Sequence, residues 1–247
     1  MRILICGESE RDKCLAALCR EHGHMTPEHG PWDLAVLPLP RSHVPEDLAD
    51  QFPKGQKIVC GITDAGFDRL AQKRSWKLCR VLTDEAYTRE NAALTAEGAL
   101  FCAAARMNRA LKDARCLVIG YGRIGKALTG LLRGMGAEVT VAARREESRK
   151  EAGETSVSIS SMPSVLPRMD AIFNTVPAPV VGEKELRFVK PDCVMIDLAS
   201  APYGIDRDAA DALGLKTSQE SGLPGRYCPL SAAKALLDYM ERVGQHE

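Results

Sequence analysis

Two rhythms of apolar positions run along this chain. Short unbroken runs at residues 3–6, 34–37 and 58–60 are separated by helical or polar stretches, and a second series follows at 116–119, 139–143, 170–174 and 193–198. Weaker runs fall at 156–159 and 215–218. Runs this short and this continuous suit strands buried on both faces, and their alternation with helical patterns predicts parallel sheets. Within the second series, apolar residues recur at 124, 127, 128, 131, 132 and 135, the period of a helix with one buried face. The alanine-rich residues 89–111 predict a long helix able to link two domains. Residues 229–243 predict a closing helix whose face is Leu230, Ala233, Leu237 and Met240 and which packs back on the first domain. The expected organisation is a smaller α/β domain over residues 1–90, completed by the helix 228–247, and a second unit over 91–227. Pro38, Pro40 and Pro45 mark loops in the first.

The chemistry concentrates where the second series begins. The run 116–119 leads into Gly120-Tyr121-Gly122-Arg123-Ile124-Gly125, then the amphipathic helix, then Gly134 and Gly136, then the run 139–143. This strand, glycine turn, helix and strand is the first half of a Rossmann-type doubly wound dinucleotide-binding domain. Gly120 permits the tight turn, Gly122 lets backbone approach a pyrophosphate, and Gly125 lets helix and strand pack closely. The helix N-terminus would present N–H groups and partial positive charge to the phosphates. The competing reading is a glycine turn in another α/β fold. Gly7-Glu8-Ser9 after the first run lacks the further glycines, so that half is not a second dinucleotide site.

The residues beyond the second strand bear on which dinucleotide binds. An NAD site normally has an acid there for the ribose 2′-hydroxyl. This chain has Ala142-Ala143-Arg144-Arg145, with Glu146 and Glu147 only afterwards and Ser148 beyond. A guanidinium can pair bidentately with a 2′-phosphate or stack on adenine, and a hydroxyl can add a hydrogen bond, which favours NADP. Two solvated arginines heading the next helix are the bland alternative. Ligands of open α/β sheets lie beyond the carboxyl ends of the strands, so Asn174, Thr175, Val176 and Pro177, with Asp197, Leu198 and Ser200, stand where nicotinamide and substrate would meet. Each could equally be a turn former or helix cap.

Composition narrows the classes. Lys plus Arg and Asp plus Glu are 33 each in 247 residues, so no global charge points to nucleic acid or an acidic membrane. No apolar run approaches the ~20 residues of a membrane helix, and the first ten residues read as a strand and turn, not a signal peptide. Nine cysteines, an odd number without a CxxC pair, favour reduced thiols in a reducing compartment, hence a cytoplasmic protein without a metal site.

Several segments together resemble one family, the A-type subunits of dipicolinate synthase: Asn91-Ala92-Ala93-Leu94-Thr95-Ala96-Glu97-Gly98-Ala99, the Gly120–Gly125 loop with Ala142-Ala143-Arg144, and Asn174-Thr175-Val176-Pro177. To these belong Asp197-Leu198-Ala199-Ser200-Ala201-Pro202, Leu223-Pro224-Gly225 and Pro229-Leu230-Ser231-Ala232. They span residues 88–240 in order, while the first 85 match in outline only, and Tyr203 stands where a glycine is expected. The resemblance implies an NADP-linked oxidoreductase subunit, active in sporulation on a small cyclic dicarboxylate. It also implies a partner, the flavoprotein-like B-type subunit of dipicolinate synthase.

Candidate reacting groups follow. The histidines, at 22, 24, 29, 43 and 246, lie away from the strand ends of the cofactor domain, which disfavours a histidine acid–base drawn from that domain. Glu97 is the first candidate for handling a proton, with Thr95, Asn174 and Ser200 for hydrogen bonds to substrate or nicotinamide. On the plainer reading Thr95 and Glu97 open or cap a helix. Leu223, Pro224, Gly225 and Ser231 are candidates for holding a dicarboxylate near a helix N-terminus. A stand-alone NADP dehydrogenase of another small carboxylate, and a non-catalytic NADPH-binding module that regulates or scaffolds a partner, are the alternatives. A homodimer is the common default assembly, and the alanine-rich helix could face a symmetry mate as well as its own domains.

Overall fold

The computed structural model describes residues 1–44 and 46–245; the loop-marking Pro45 and the last histidine, His246, lie outside them. The chain divides into two compact units, residues 1–94 with 224–247, and residues 95–223.

The first unit carries a parallel sheet of β1 (Ile3–Ile5), β2 (Leu34–Val36), β3 (Lys57–Cys60) and β4 (Lys77–Arg80), in that order. Period-two alternation explains why the runs are continuously apolar. Leu34 and Val36 face one core with Ile3, Val59 and Leu15, while Ala35, Leu37 and Ile58 face another with Trp32, Phe52 and Trp76. The first core is closed by the helix Pro229–Gln245 through Ala233, Leu236, Leu237 and Met240. Leu230, expected on that face, is exposed, and Leu236 takes the buried position instead. β4 has no apolar run because it is an edge strand with polar ends, Lys77 and Arg80, which is why the sequence pattern misses it.

The second unit carries a six-stranded, all-parallel sheet: β5 (Arg115–Ile119), β6 (Glu138–Ala142), β7 (Ser156–Val157), β8 (Ala171–Asn174), β9 (Val194–Asp197) and β10 (Lys216–Gln219). Their order, β10-β9-β8-β5-β6-β7, is that of a doubly wound dinucleotide fold, with the direction of winding reversing between β5 and β8. The helix Arg123–Gly134 buries Leu128 and Leu132 and half-buries Ile124, Ala127 and Leu131, and Gly136 turns the chain at φ +92°. Met135, expected to extend that face, is exposed, because the helix has already ended at Gly134.

The linking helix also differs from expectation. It runs Glu85–Ala104, not 89–111. Asp84 fixes its start by accepting a hydrogen bond from Tyr87 N at 2.7 Å. Arg106 ties off its end, reaching back from Nη1 to the Cys102 carbonyl at 2.9 Å, and Leu111–Asp113 is a separate 3-10 turn. Thr95 and Glu97 therefore stand in the helix interior and cap nothing. Leu223-Pro224-Gly225 is not a turn but opens a short helix, Leu223–Tyr227, and the turn falls at Gly222 with φ +64°.

Candidate cofactor site

The carboxyl ends of β5 and β8 are neighbours at the reversal point, and the loops leaving them interlock. Thr175 donates from both its backbone N and its Oγ1 to the Ile119 carbonyl, each at 2.9 Å. Its hydroxyl then lies against the glycine turn: a Cβ on Gly120 would stand 2.4 Å from Thr175 Oγ1. Gly120 also has φ +94°, the left-handed region, so both conformation and space demand glycine there. A Cβ on Gly125 would meet the Gly120 carbonyl oxygen at 2.2 Å, which is the close helix–strand packing expected of the third glycine.

Gly122 is different. It is the N-cap of the helix Arg123–Gly134 with φ −83°, makes no side-chain cap, and a Cβ there would meet nothing within 4 Å. The protein itself does not require glycine at this position. An open backbone surface over a helix N-terminus is the cradle a pyrophosphate needs, so the residues present fit a dinucleotide. Tyr121 and Ile124 are half-buried against the unit's core and Arg123 is exposed at the rim of the turn. Lys126 lies 5.6 Å above the Tyr121 ring and pairs with Glu151 at 2.7 Å.

Beyond β6, Arg144 and Arg145 are exposed, and neither guanidinium has a hydrogen-bond or carboxylate partner among the described residues. Their backbone is braced from below by Arg149, whose Nη1 donates to the carbonyls of Ala143 at 3.0 Å and Arg144 at 2.8 Å. Sequence reasoning missed Arg149, since an arginine inside a polar helical stretch carries no signal of such a contact. Ser148 is half-buried in the helix Glu146–Ala152, and Glu146 is engaged by Lys150 at 2.8 Å.

At the ends of β8 and β9 the structure brings Asn174 and Asp197 together, both fully buried. Asn174 Nδ2 donates to Asp197 Oδ1 at 2.8 Å and to the Val176 carbonyl at 3.0 Å, while its Oδ1 accepts from Val176 N at 3.1 Å. Asp197 further accepts from the backbone N–H groups of Ala199 (3.1 Å), Gly204 (2.8 Å) and Ile205 (2.9 Å). Four donors on one carboxylate pin the loop 198–205 over the strand end. These two side chains thus bond the protein's own loops, and what they offer a ligand is the shape of those loops. Gly204, which the sequence did not single out as a site residue, completes the arrangement, for a Cβ there would stand 2.2 Å from Asn174 Nδ2.

The remaining candidates disperse. Val176 is half-buried, Pro177 and Ser200 are exposed, and Leu198 is buried with its N–H on the Asn174 carbonyl at 2.8 Å. In the middle of its helix, Thr95 is buried and Glu97 exposed. Leu223 is 1% exposed within the core of the second unit. Pro224, Gly225 and Ser231 belong to the first unit, Ser231 on the exposed first turn of the helix Pro229–Gln245. The four described histidines all lie in the first unit.

Residues 86–220 match the family described as D-isomer specific 2-hydroxyacid dehydrogenase, NAD binding domain. The resemblance read from the sequence also has a counterpart among known proteins. The chain is 25% identical over 201 residues to the A-type subunit of dipicolinate synthase from Bacillus subtilis (strain 168), covering 80% of this chain and 68% of that protein. It is similar in fold to the crystal structure of the same subunit type from Bacillus halodurans, with a TM-score of 0.88 at 22% identity over 100% of this chain and 98% of the other. The corresponding crystal structure from Bacillus subtilis gives a TM-score of 0.85 at 21% identity over 98% and 95%. No helix among the described residues is long and apolar enough to cross a membrane. With more than half its length matched, the chain belongs to the D-isomer specific 2-hydroxyacid dehydrogenase NAD-binding family and is an oxidoreductase that takes a nicotinamide cofactor.

Proposed function

We propose that this chain is the NADP-dependent subunit of a dipicolinate synthase, cytoplasmic and acting in sporulation with a flavoprotein-like B-type subunit. The pair would convert 4-hydroxy-tetrahydrodipicolinate, through dihydrodipicolinate, to dipicolinate. The observation that carries this reading is the similarity to the A-type subunit of dipicolinate synthase along four-fifths of the chain. NADP is favoured over NAD because the residues after β6 supply two unpartnered guanidiniums and no acid at the ribose position.

The substrate must lose water and then a hydride and a proton, with formation of the aromatic pyridine as the driving force. The bound nicotinamide supplies the two-electron acceptor. The chain's own residues bind and orient. The Gly120–Gly125 turn receives the pyrophosphate, Arg144 with Arg145 and Ser148 holds the 2′-phosphate, and the pinned loops after Asn174 and Asp197 shape the nicotinamide end. Glu97 is the proposed proton acceptor, with Thr95 and Ser200 as hydrogen-bonding groups toward substrate. No histidine lies within residues 86–220, so a stand-alone 2-hydroxyacid dehydrogenase drawing its acid–base histidine from this segment is disfavoured.

The test supplies purified chain with NADP⁺ or NAD⁺ and the freshly coupled product of pyruvate and aspartate semialdehyde, with and without a matching flavoprotein subunit. Dipicolinate formed only with both proteins, and faster with NADP⁺, is the expected result. Absence of dipicolinate with both proteins folded and NADPH demonstrably bound overturns the substrate and leaves the cofactor reading in place.

A further inference from the structure

Arg11 breaks three local rules at once. It sits in the first turn of the helix Glu10–Glu21, where a cation opposes the helix dipole. Its side chain is 10% exposed, although arginine is rarely buried without a full complement of partners. And its guanidinium is poorly satisfied: among the described residues its one hydrogen bond runs from Nη2 to the Leu39 carbonyl at 3.0 Å, and the buried Nε has no acceptor. A guanidinium carries five N–H donors, so most are unused.

The neighbouring carboxylate does not repair this. Asp12 Oδ1 lies 3.7 Å from Arg11 Nε, beyond hydrogen-bond distance, and Asp12 Oδ2 accepts from Ser9 N at 3.0 Å and Ser9 Oγ at 2.5 Å in the box that caps the helix. Also near are the buried Tyr87, whose phenol feels the Arg11 charge, and Gly225, where a Cβ would stand 3.9 Å from Arg11 Nη1. No side chain from that position covers the guanidinium edge. All of these residues belong to the first unit, beside the carboxyl ends of β1 and β2, where parallel α/β sheets bind ligands.

A buried, under-bonded cation costs stability unless something completes it, and local rules broken together mark functional positions. We propose that Arg11 is a substrate-binding residue that takes a carboxylate of a small organic acid through its free N–H groups. This rests on the reading of the chain as a dehydrogenase of a small carboxylate and adds the group that recognises it. The planar, two-donor edge of a guanidinium matches a carboxylate bidentately, so lysine replaces it poorly.

The test measures binding to the intact chain with NADPH present, by calorimetry, using dipicolinate, D-lactate and oxalate as probes on wild type, Arg11→Lys and Arg11→Met. The expected result is a probe affinity lost tenfold or more in Arg11→Met and partly kept in Arg11→Lys. NADPH affinity should be unchanged, while the thermal midpoint of the free Arg11→Met protein falls, since the buried Asp12 carboxylate, 3.7 Å from Arg11 Nε, loses its cation. If Arg11→Met is poorly folded, Arg11→Lys carries the comparison alone. Binding of D-lactate or oxalate but not dipicolinate, still dependent on Arg11, would uphold this site and remove the dipicolinate reading. Equal probe affinity in wild type and variants, or no probe bound by wild type, overturns the proposal.

Discussion

At the scale of single residues, the three glycines of the turn separate folding from binding. Gly120 and Gly125 face protein atoms at 2.4 and 2.2 Å, so replacing either must move backbone or Thr175. Gly122 faces open space at an ordinary φ. Gly122→Ala should therefore leave stability within about 0.5 kcal/mol of wild type while a methyl group intrudes on the proposed pyrophosphate position. Denaturant unfolding beside NADPH titration checks this, and an unchanged NADPH affinity would show that the turn is not the phosphate cradle. Arg144 offers the complementary test on the cofactor's other end. A charged hydrogen-bonded pair is worth about 1.5–3 kcal/mol, so Arg144→Asp should lower NADPH affinity on the order of 10–100-fold and improve that for NADH. Equal losses for both cofactors would mean that Arg144 does not read the 2′-phosphate. Tyr203 is a residue at which sequence and backbone agree: a glycine was expected there, and tyrosine occupies φ +62° at a cost of roughly 1–2 kcal/mol.

At the scale of elements, β8 has a polar residue at each end with opposite consequences. Asn174 at its carboxyl end is tied into the site, whereas Asp170, just before its amino end, belongs to a charge cluster on the other edge of the sheet. Burial opposes ionisation of Asp170, but the Arg115 backbone N–H at 2.7 Å, the Lys190 ammonium and the Arg109 guanidinium outweigh it and hold its carboxyl below the usual aspartate range. A carboxyl whose folded pKa is depressed stabilises the fold at pH above its unfolded value, near 3.9, and loses that contribution as pH falls through the lower, folded value. Asp170→Asn should thus cost about 1–2 kcal/mol near neutrality, moderated because Lys190 and Arg109 can rehydrate. The gap to wild type should hold constant down to about pH 5 and close below about pH 4. Urea midpoints taken across that range decide it, and a pH-independent gap would mean the carboxylate's charge contributes nothing.

The same element scale shows what the sequence could disclose. Strands buried on both faces, such as β2, β5 and β9, are continuous apolar runs and were legible to within a residue or so. The glycine turn was legible because its constraints are local. Edge strand β4 and the ends of the long helix were not, since they are set by polar residues acting at a distance or out of pattern: Asp84 at the start, Arg106 folding back at the end. In the site, the bond between Asn174 and Asp197, the need for Gly204 and the brace from Arg149 all join residues far apart in the chain or facing a loop, where spacing gives no clue.

At the scale of the molecule, the cores fall cleanly by unit: two clusters lie wholly within residues 95–223 and two within the first unit. The nine cysteines, none of them in a disulfide, are distributed over both units and make this division measurable. Cys116 and Cys193, in the second unit, are fully buried, and loss of hydration pushes both thiols up to about 12. Cys19 and Cys60, in the first, are likewise buried and pushed to about 11. Only the thiolate is alkylated, so at pH 8 a thiol near 12 should react roughly a thousandfold more slowly than an ordinary one near 8.5, before steric shielding adds to the difference. Native protein treated with iodoacetamide should therefore label first at the half-buried Cys14 and Cys228 and leave Cys116 and Cys193 untouched. Raising urea should then expose Cys19 with Cys60, and Cys116 with Cys193, as two sets, each appearing at the midpoint of its own unit. If NADPH binds the folded second unit as proposed, it should raise the midpoint of the Cys116 and Cys193 set more than that of the other. Peptide mass spectrometry of the labelled chain reads both sets in one sample. A single midpoint for all four thiols, moved equally by NADPH, would mean that the two cores unfold as one cooperative body.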